Sequence, residues 1–220
     1  MHYRINGTTI KSENAAKPMR NAAEPLIDWL CQRPYTHSAL DYGCGKLRYT
    51  RHLTARSRRL GVTDSAVQLD RVQRIDGRMT SVRQYASERW PTGRIYDLAE
   101  FWRGIPRSYG FILCANVLSA IPCPRIRARS LRALWAALTT DGTLLVVNQH
   151  TNSYFTRTRQ TPEAFAHLDG WVLRSRNGAA YYGILNREST VRLLNRFGFS
   201  VIDDWINGQS NYVLAKRSTT

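Results

Sequence analysis

Acid is scarce in this chain. Only 16 Asp and Glu stand against 32 Lys and Arg, and just 4 of the basic residues are lysine. The resulting net charge of +16 favours polyanionic partners, with DNA or RNA first among them. A genome rich in G and C would explain arginine replacing lysine, but it would not explain the shortage of acids. Long apolar runs are missing too. None approaches the roughly 20 residues that a membrane span needs, so no membrane partner is expected. The opening residues Met1-His2-Tyr3-Arg4-Ile5-Asn6 lack the apolar core of a secretion signal, which makes a soluble, cytoplasmic protein the expectation. The cysteines Cys31, Cys44, Cys114 and Cys123 form no Cys-x-x-Cys pair and no zinc spacing with the five histidines. Buried, reduced thiols and no metal site are the reading. There is no internal repeat and no low-complexity tract, and nothing in the sequence sets the oligomeric state.

What is present is enough apolar residue, 43%, for one domain of 220 residues to bury a core without staples. Residues 1–35 read as an N-terminal arm, extended over 7–18, and a helix over 19–33 that Pro34 ends. From there strands and helices alternate. Ser38 to Tyr42 is a strand, 46–58 a helix, Leu60 to Thr63 a strand ending at Asp64, and 65–75 a helix. The third strand is either Met79 to Tyr85 or Arg94 to Leu98. Phe111 to Asn116 and Thr143 to Asn148 are buried strands; between them lie a helix over 125–138, opened by Pro124, and an Asp141-Gly142 turn. A variable region over 151–187 precedes a helix over 188–197, closed by Gly198, and two final strands around Asn207-Gly208. This pattern predicts an α/β fold. Its Rossmann-like, mostly parallel sheet carries helices on both faces and a C-terminal antiparallel strand.

Ligands of open α/β sheets bind at the carboxyl ends of the strands. The turn Asp41-Tyr42-Gly43-Cys44-Gly45 lies at such an end, between strand and helix. A dinucleotide turn wants a third small residue where this chain has Arg48. Asp41 ahead of the glycines also suits a cationic ligand better than a pyrophosphate. About twenty residues on, Asp64 can accept both hydroxyls of a ribose, or else cap the helix that follows.

The segments Ala39 to Gly45, Leu60 to Asp64, Phe111 to Leu118 and Leu138 to Val147 resemble successive motifs of class I S-adenosylmethionine-dependent methyltransferases. The resemblance spans residues 36–150, and the helix and strand pair over 188–220 fit the family's ending. It implies that Asp41, Gly43, Cys44 and Gly45 cradle the methionine end of S-adenosylmethionine. It likewise implies that Asp64 holds the ribose, Asp97 and Leu98 lie by the adenine, and Asn116 sits near the sulfonium. One departure stands out: where the family commonly has a third glycine, this chain has Leu47. Thr9 to Arg20, Asp41 to Lys46 and Asn116 to Ile121 also resemble methyltransferases associated with bacterial DNA phosphorothioation and defence loci.

The acceptor is less legible. No Pro-Pro-aromatic motif follows Asn116, which disfavours methylation of base exocyclic amines. Pro122-Cys123 looks like the nucleophile pair of cytosine methylation, but a loop opening a helix is the favoured reading. His150, just past the fifth strand, is the candidate general base. Two segments are candidate substrate faces, lying where the resembled fold leaves its cofactor pocket open: the arm over 3–20 and the region 149–182, where Arg157, Arg159, Arg174 and Arg176, interleaved with Tyr154, Phe155, Trp171, Tyr181 and Tyr182, are candidate contacts for a nucleic acid. Three readings stay open: a methyltransferase of nucleic acid, one of a small molecule or protein, and a non-catalytic binding module with the same fold.

Overall fold

Alternate residues of the central strands enter two separate cores in the computed structural model, which describes residues 1–105, 108–149, 156, 159–175 and 178–218. The chain opens with a hairpin, β1 (His2–Ile5) and β2 (Thr8–Lys11), then α1 (Glu24–Gln32), β3 (Thr36–Tyr42), α2 (Thr50–Leu53) and β4 (Ser57–Asp64). Next come α3 (Ala66–Asp70), a small hairpin of β5 (Gln73–Ile75) and β6 (Arg78–Thr80), α4 (Val82–Arg89), β7 (Arg94–Asp97) and α5 (Leu98–Arg103). The second half runs β8 (Tyr109–Ala115), α6 (Pro124–Ala137), β9 (Leu138–Gln149), β10 (Ala164–His167), β11 (Gly170–Ser175) and β12 (Gly178–Gly183). It closes with α7 (Arg187–Arg196), β13 (Phe199–Asn207) and β14 (Ser210–Arg217).

A seven-stranded sheet has the order β13-β14-β9-β8-β3-β4-β7. Its strands are parallel except β14, which runs against both β9 and β13. On one face Leu40, Ile112, Leu144, Val146 and Val213 pack against Phe101, Leu131, Leu134 and Leu194 of α5, α6 and α7. On the other, Ala39, Phe111, Leu113, Leu145 and Val147 meet Leu26, Leu30, Leu53, Leu69 and Val82 of α1 to α4. Period-two alternation with both faces covered is why these strands read as unbroken apolar runs.

A second sheet, β1-β2-β12-β11-β10, joins the N-terminal arm to the variable region. The arm is therefore not a loose extension: Asn6 and Gly7, both at positive φ, fold it into a hairpin. β2 then pairs parallel with β12. This sheet has its own small core of Ile10, Val172, Ala179 and Tyr181. Arg127 of α6 fastens it to the large sheet, donating to Asp169 at 2.5 and 2.8 Å and to the Ile121 carbonyl at 2.7 Å.

Several expected boundaries move. The helix expected over 46–58 shrinks to Thr50–Leu53, because Gly45 and Leu47 at positive φ keep the chain turning and β4 begins at Ser57. The helix over 65–75 stops at Asp70, since Asp76-Gly77 folds Gln73–Ile75 into a hairpin with Arg78–Thr80. α1 begins only at Glu24, with Pro25 in its first turn. Of the two candidates for the third strand, Arg94–Asp97 is the one, pairing with β4. Asp141-Gly142 lies inside β9 instead of preceding it, and a register shift between Tyr109 and Phe111 accompanies it.

Candidate active site

A cleft of about 880 Å³ opens at the carboxyl ends of β3, β4 and β8. The residues expected around a cofactor converge there: Asp41, Gly43, Cys44 and Gly45 after β3, Asp64 at the end of β4, Leu98 in α5 and Asn116 after β8 all line it. Asp97 does not line it; its carboxylate caps α5 by accepting the Glu100 N–H at 2.8 Å. His150 lies outside the described residues, as do Tyr154, Phe155, Arg157 and Arg176. Cys123 lines neither this cleft nor the cavity beside it. The four cysteines are free thiols, and burial pushes the Cys44 thiol well above its usual range. Among the described residues no cluster of His, Cys, Asp or Glu could hold a metal ion, and no helix is long and apolar enough to cross a membrane.

The turn is held by its own backbone. Gly43 and Cys44 donate their N–H groups to the Thr63 carbonyl at 2.8 and 3.1 Å. Gly45 donates to Asp64 Oδ2 at 2.9 Å, and Ser65 to Asp64 Oδ1 at 2.7 Å. Asp64 thus clamps β3's turn to β4. It does not cap α3, whose cap is Ser65, accepting from the Gln68 N–H at 3.3 Å. Gly43 is required by packing: a Cβ there would lie 2.4 Å from Val117 Cγ2. At Leu47, where the resembled family has glycine, the backbone keeps φ of 61° while the side chain is fully buried. Burying a leucine, worth about 1.5–3 kcal/mol, offsets the roughly 1–2 kcal/mol cost of a left-handed residue.

Three carboxylates line the cleft: Glu13, Asp41 and Asp64. Burial raises the pKa of Asp41 to about 6, opposed by the Thr50 hydroxyl, which donates to Oδ2 at 2.5 Å, and by the charge of Arg48. Burial also raises Asp64, while the N–H groups of Gly45 and Ser65 pull it down. For Glu13, burial is outweighed by bonds from its own backbone, from His2 at 2.8 Å and from the Met1 α-ammonium at 3.1 Å, so its pKa falls below the ordinary value. Glu13 belongs to the arm, as do Tyr3, Ala16 and Lys17, and together they form a wall of the cleft. The arm over 3–20, expected at the opening of the pocket as a substrate face, lines the cleft itself, and the Asn6-Gly7 dipeptide signals the hairpin that builds this wall. Asn116, at φ of 59°, turns the chain out of β8, and its Oδ1 accepts the Gln149 N–H at 3.1 Å.

No protein-family model matches the chain. The uncharacterized protein YmfD of Escherichia coli K12 is 31% identical over 213 residues, covering 97% of this chain and 95% of that one. The chain belongs to the YmfD family. Among solved structures, a Burkholderia thailandensis 1,6-didemethyltoxoflavin-N1-methyltransferase, crystallised with 1,6-didemethyltoxoflavin and S-adenosylhomocysteine bound, matches with a TM-score of 0.61. It is 14% identical, over 89% of this chain and 77% of that one. An S-adenosylmethionine-dependent methyltransferase from Clostridium acetobutylicum matches with a TM-score of 0.64 and 12% identity, over 93% of this chain and 94% of that one. The fold of this YmfD-family chain is therefore the class I methyltransferase fold.

Proposed function

We propose that the chain is an S-adenosylmethionine-dependent methyltransferase. The observation that carries this reading is the chemistry of the cleft. Its turn N–H groups are already spent on Thr63 and Asp64, and α2 starts only at Thr50, so nothing there resembles the free helix N-terminus that a pyrophosphate needs. Glu13, Asp41 and Asp64, set beside Lys17, Lys46 and Arg48, instead offer charge of both signs to a ligand bearing an ammonium, a sulfonium and a carboxylate.

When bound, the cofactor supplies an electrophilic methyl group on sulfur. Asp64 accepts from the ribose hydroxyls. Each of its oxygens receives one backbone N–H, and an ionised carboxylate has acceptor positions to spare. Asp41 and Glu13 offset the positive charge of the methionine end, and Leu98 with Trp102 forms the apolar wall for the adenine. Asn116 lies where the acceptor enters.

A nucleic-acid acceptor has little support among the described residues. Tyr181 is buried, and its hydroxyl bonds to Asp169 and Arg127. Arg174 donates to Thr8 at 2.6 Å and lies over the Phe165 ring. These two of the side chains expected to stack bases and grip phosphates hold the second sheet together instead.

Calorimetry tests the cofactor. S-adenosylhomocysteine should bind and NAD should not; NAD binding without S-adenosylhomocysteine binding would overturn the reading.

A further inference from the structure

A second cavity, of about 770 Å³, lies beside the cofactor cleft and shares Lys17, Arg48 and Asn116 with it. Its far wall comes from Tyr182 on β12 and Gln149 at the end of β9. The cleft mixes both signs, with Glu13, Asp41 and Asp64 beside Lys17, Lys46 and Arg48, whereas no carboxylate lines the second cavity among the described residues. Lys17 and Arg48 supply its charge, and neither makes an ion pair among the described residues. Arg48 is held in place by stacking on the Tyr49 ring, 4.6 Å from its centroid. An unpaired guanidinium and an ammonium facing one polar cavity are what a carboxylate or phosphate needs.

We propose that this second cavity is the methyl-acceptor site and that the acceptor is a small anionic molecule, its carboxylate or phosphate held by Lys17 and Arg48. The proposal rests on the cofactor reading above. Transfer forms a bond between the acceptor's nucleophilic atom and the methyl carbon. It breaks the carbon–sulfur bond with its electron pair staying on sulfur, and any proton on the acceptor atom goes to solvent.

The test uses protein saturated with S-adenosylhomocysteine and two matched probe pairs: benzoate with neutral benzamide, and phenyl phosphate with neutral phenol. At least one anion should bind at least about tenfold more tightly than its neutral partner, the scale of one charge-assisted hydrogen bond. Which pair responds tells carboxylate from phosphate. Lys17→Met combined with Arg48→Met, with S-adenosylhomocysteine raised to saturate the variant because both residues also line the cleft, should abolish the preference. Arg58→Met with Arg59→Met, which removes the same charge from exposed positions, should keep the preference. The proposal is overturned if neither anion is preferred, if the preference survives the first double variant, or if it is lost equally in the second. If the first double variant no longer binds S-adenosylhomocysteine at any concentration, the cations belong to the cofactor, which also overturns the proposal. Absence of S-adenosylhomocysteine binding to the unmutated protein would instead show that the cofactor reading had failed, and this proposal with it. Labelled methyl transfer into a fractionated cell extract gives an independent readout. The label should enter the small anionic fraction, and label in nucleic acid or protein would refute the assignment.

Discussion

Asp41 couples stability to binding, and the sign of each effect can be worked out. Its carboxylate is 3% exposed, and its folded pKa is about 6 against an ordinary value of 3.8. The folded protein therefore holds that proton more tightly than the unfolded chain. The stability it contributes is full below 3.8, declines as pH rises toward about 6, and is flat above that. A difference of about two units, at roughly 1.4 kcal/mol each, is on the order of 3 kcal/mol. In Asp41→Asn the amide oxygen can still accept from Thr50, but there is no charge to desolvate. The variant should exceed the native protein by up to about 3 kcal/mol at pH 8 and match it near pH 4. Urea unfolding in steps across that range measures the difference. Two stability curves that run parallel with pH would refute the reasoning. Cofactor binding should move the opposite way. S-adenosylhomocysteine affinity should rise through pH 6 in the native protein, as Asp41 ionises, and should be weaker and flat in the variant. A substitution that gains stability and loses binding marks a residue kept for its site and not for its fold.

Asp64→Ala should weaken S-adenosylhomocysteine binding by about 1.5–3 kcal/mol, measured by calorimetry, and lower stability because the Gly45 N–H loses its acceptor. Unchanged affinity would remove Asp64 from the ribose. Leu47→Ala should cost about 2–5 kcal/mol, yet Leu47→Gly should cost about 1 kcal/mol less than that, because only glycine relieves the positive φ; the reverse order in chemical denaturation would show that no strain resides there. Arg127→Met leaves Asp169 charged and half-buried without its partner, at a cost of about 3–5 kcal/mol. Hydrogen exchange should then rise in β10 to β12 while β3 and β8 stay protected.

What could be read from the sequence was local. Phe111–Asn116 and Thr143–Asn148 announce a sheet covered on both faces because neither face has polar residues to spare for water. The turn 41–45 and Asp64 could be paired from spacing alone, since parallel β3 and β4 bring their ends together. The third strand stayed ambiguous because four residues beginning with Arg carry almost no periodic signal. β4 was read as starting too late for a related reason: Arg58 and Arg59 are exposed at its start and do not look like strand. The second sheet rests on pairing Ile10 with Ala179, a contact no local pattern encodes. The arm over 3–20 could be expected at the opening of the pocket, but Glu13 and Lys17 could not be singled out as its wall, because that sheet is what carries them across the cleft.

The same distinction bears on the charge of +16. Net charge suggested a polyanion, and most arginines are exposed, but several are engaged by the chain's own groups. Arg33 lies 4.3 Å from the Phe111 ring centroid, Arg129 lies 4.7 Å from that of Trp102, and Arg217 lies 3.6 Å from that of Trp135. Arg127 is an ion-pair clamp between two sheets. A planar guanidinium stacks on an aromatic face as well as it meets an anion, so an arginine count overstates the positive surface offered to a partner. What decides recognition is the sign of charge where a ligand can sit. Here the cleft sets Glu13, Asp41 and Asp64 beside Lys17, Lys46 and Arg48, while the cavity next to it keeps only the charges of Lys17 and Arg48 among its described lining. Carboxylates confined to one of two adjoining spaces are the reason the proposed anionic acceptor is assigned to the other.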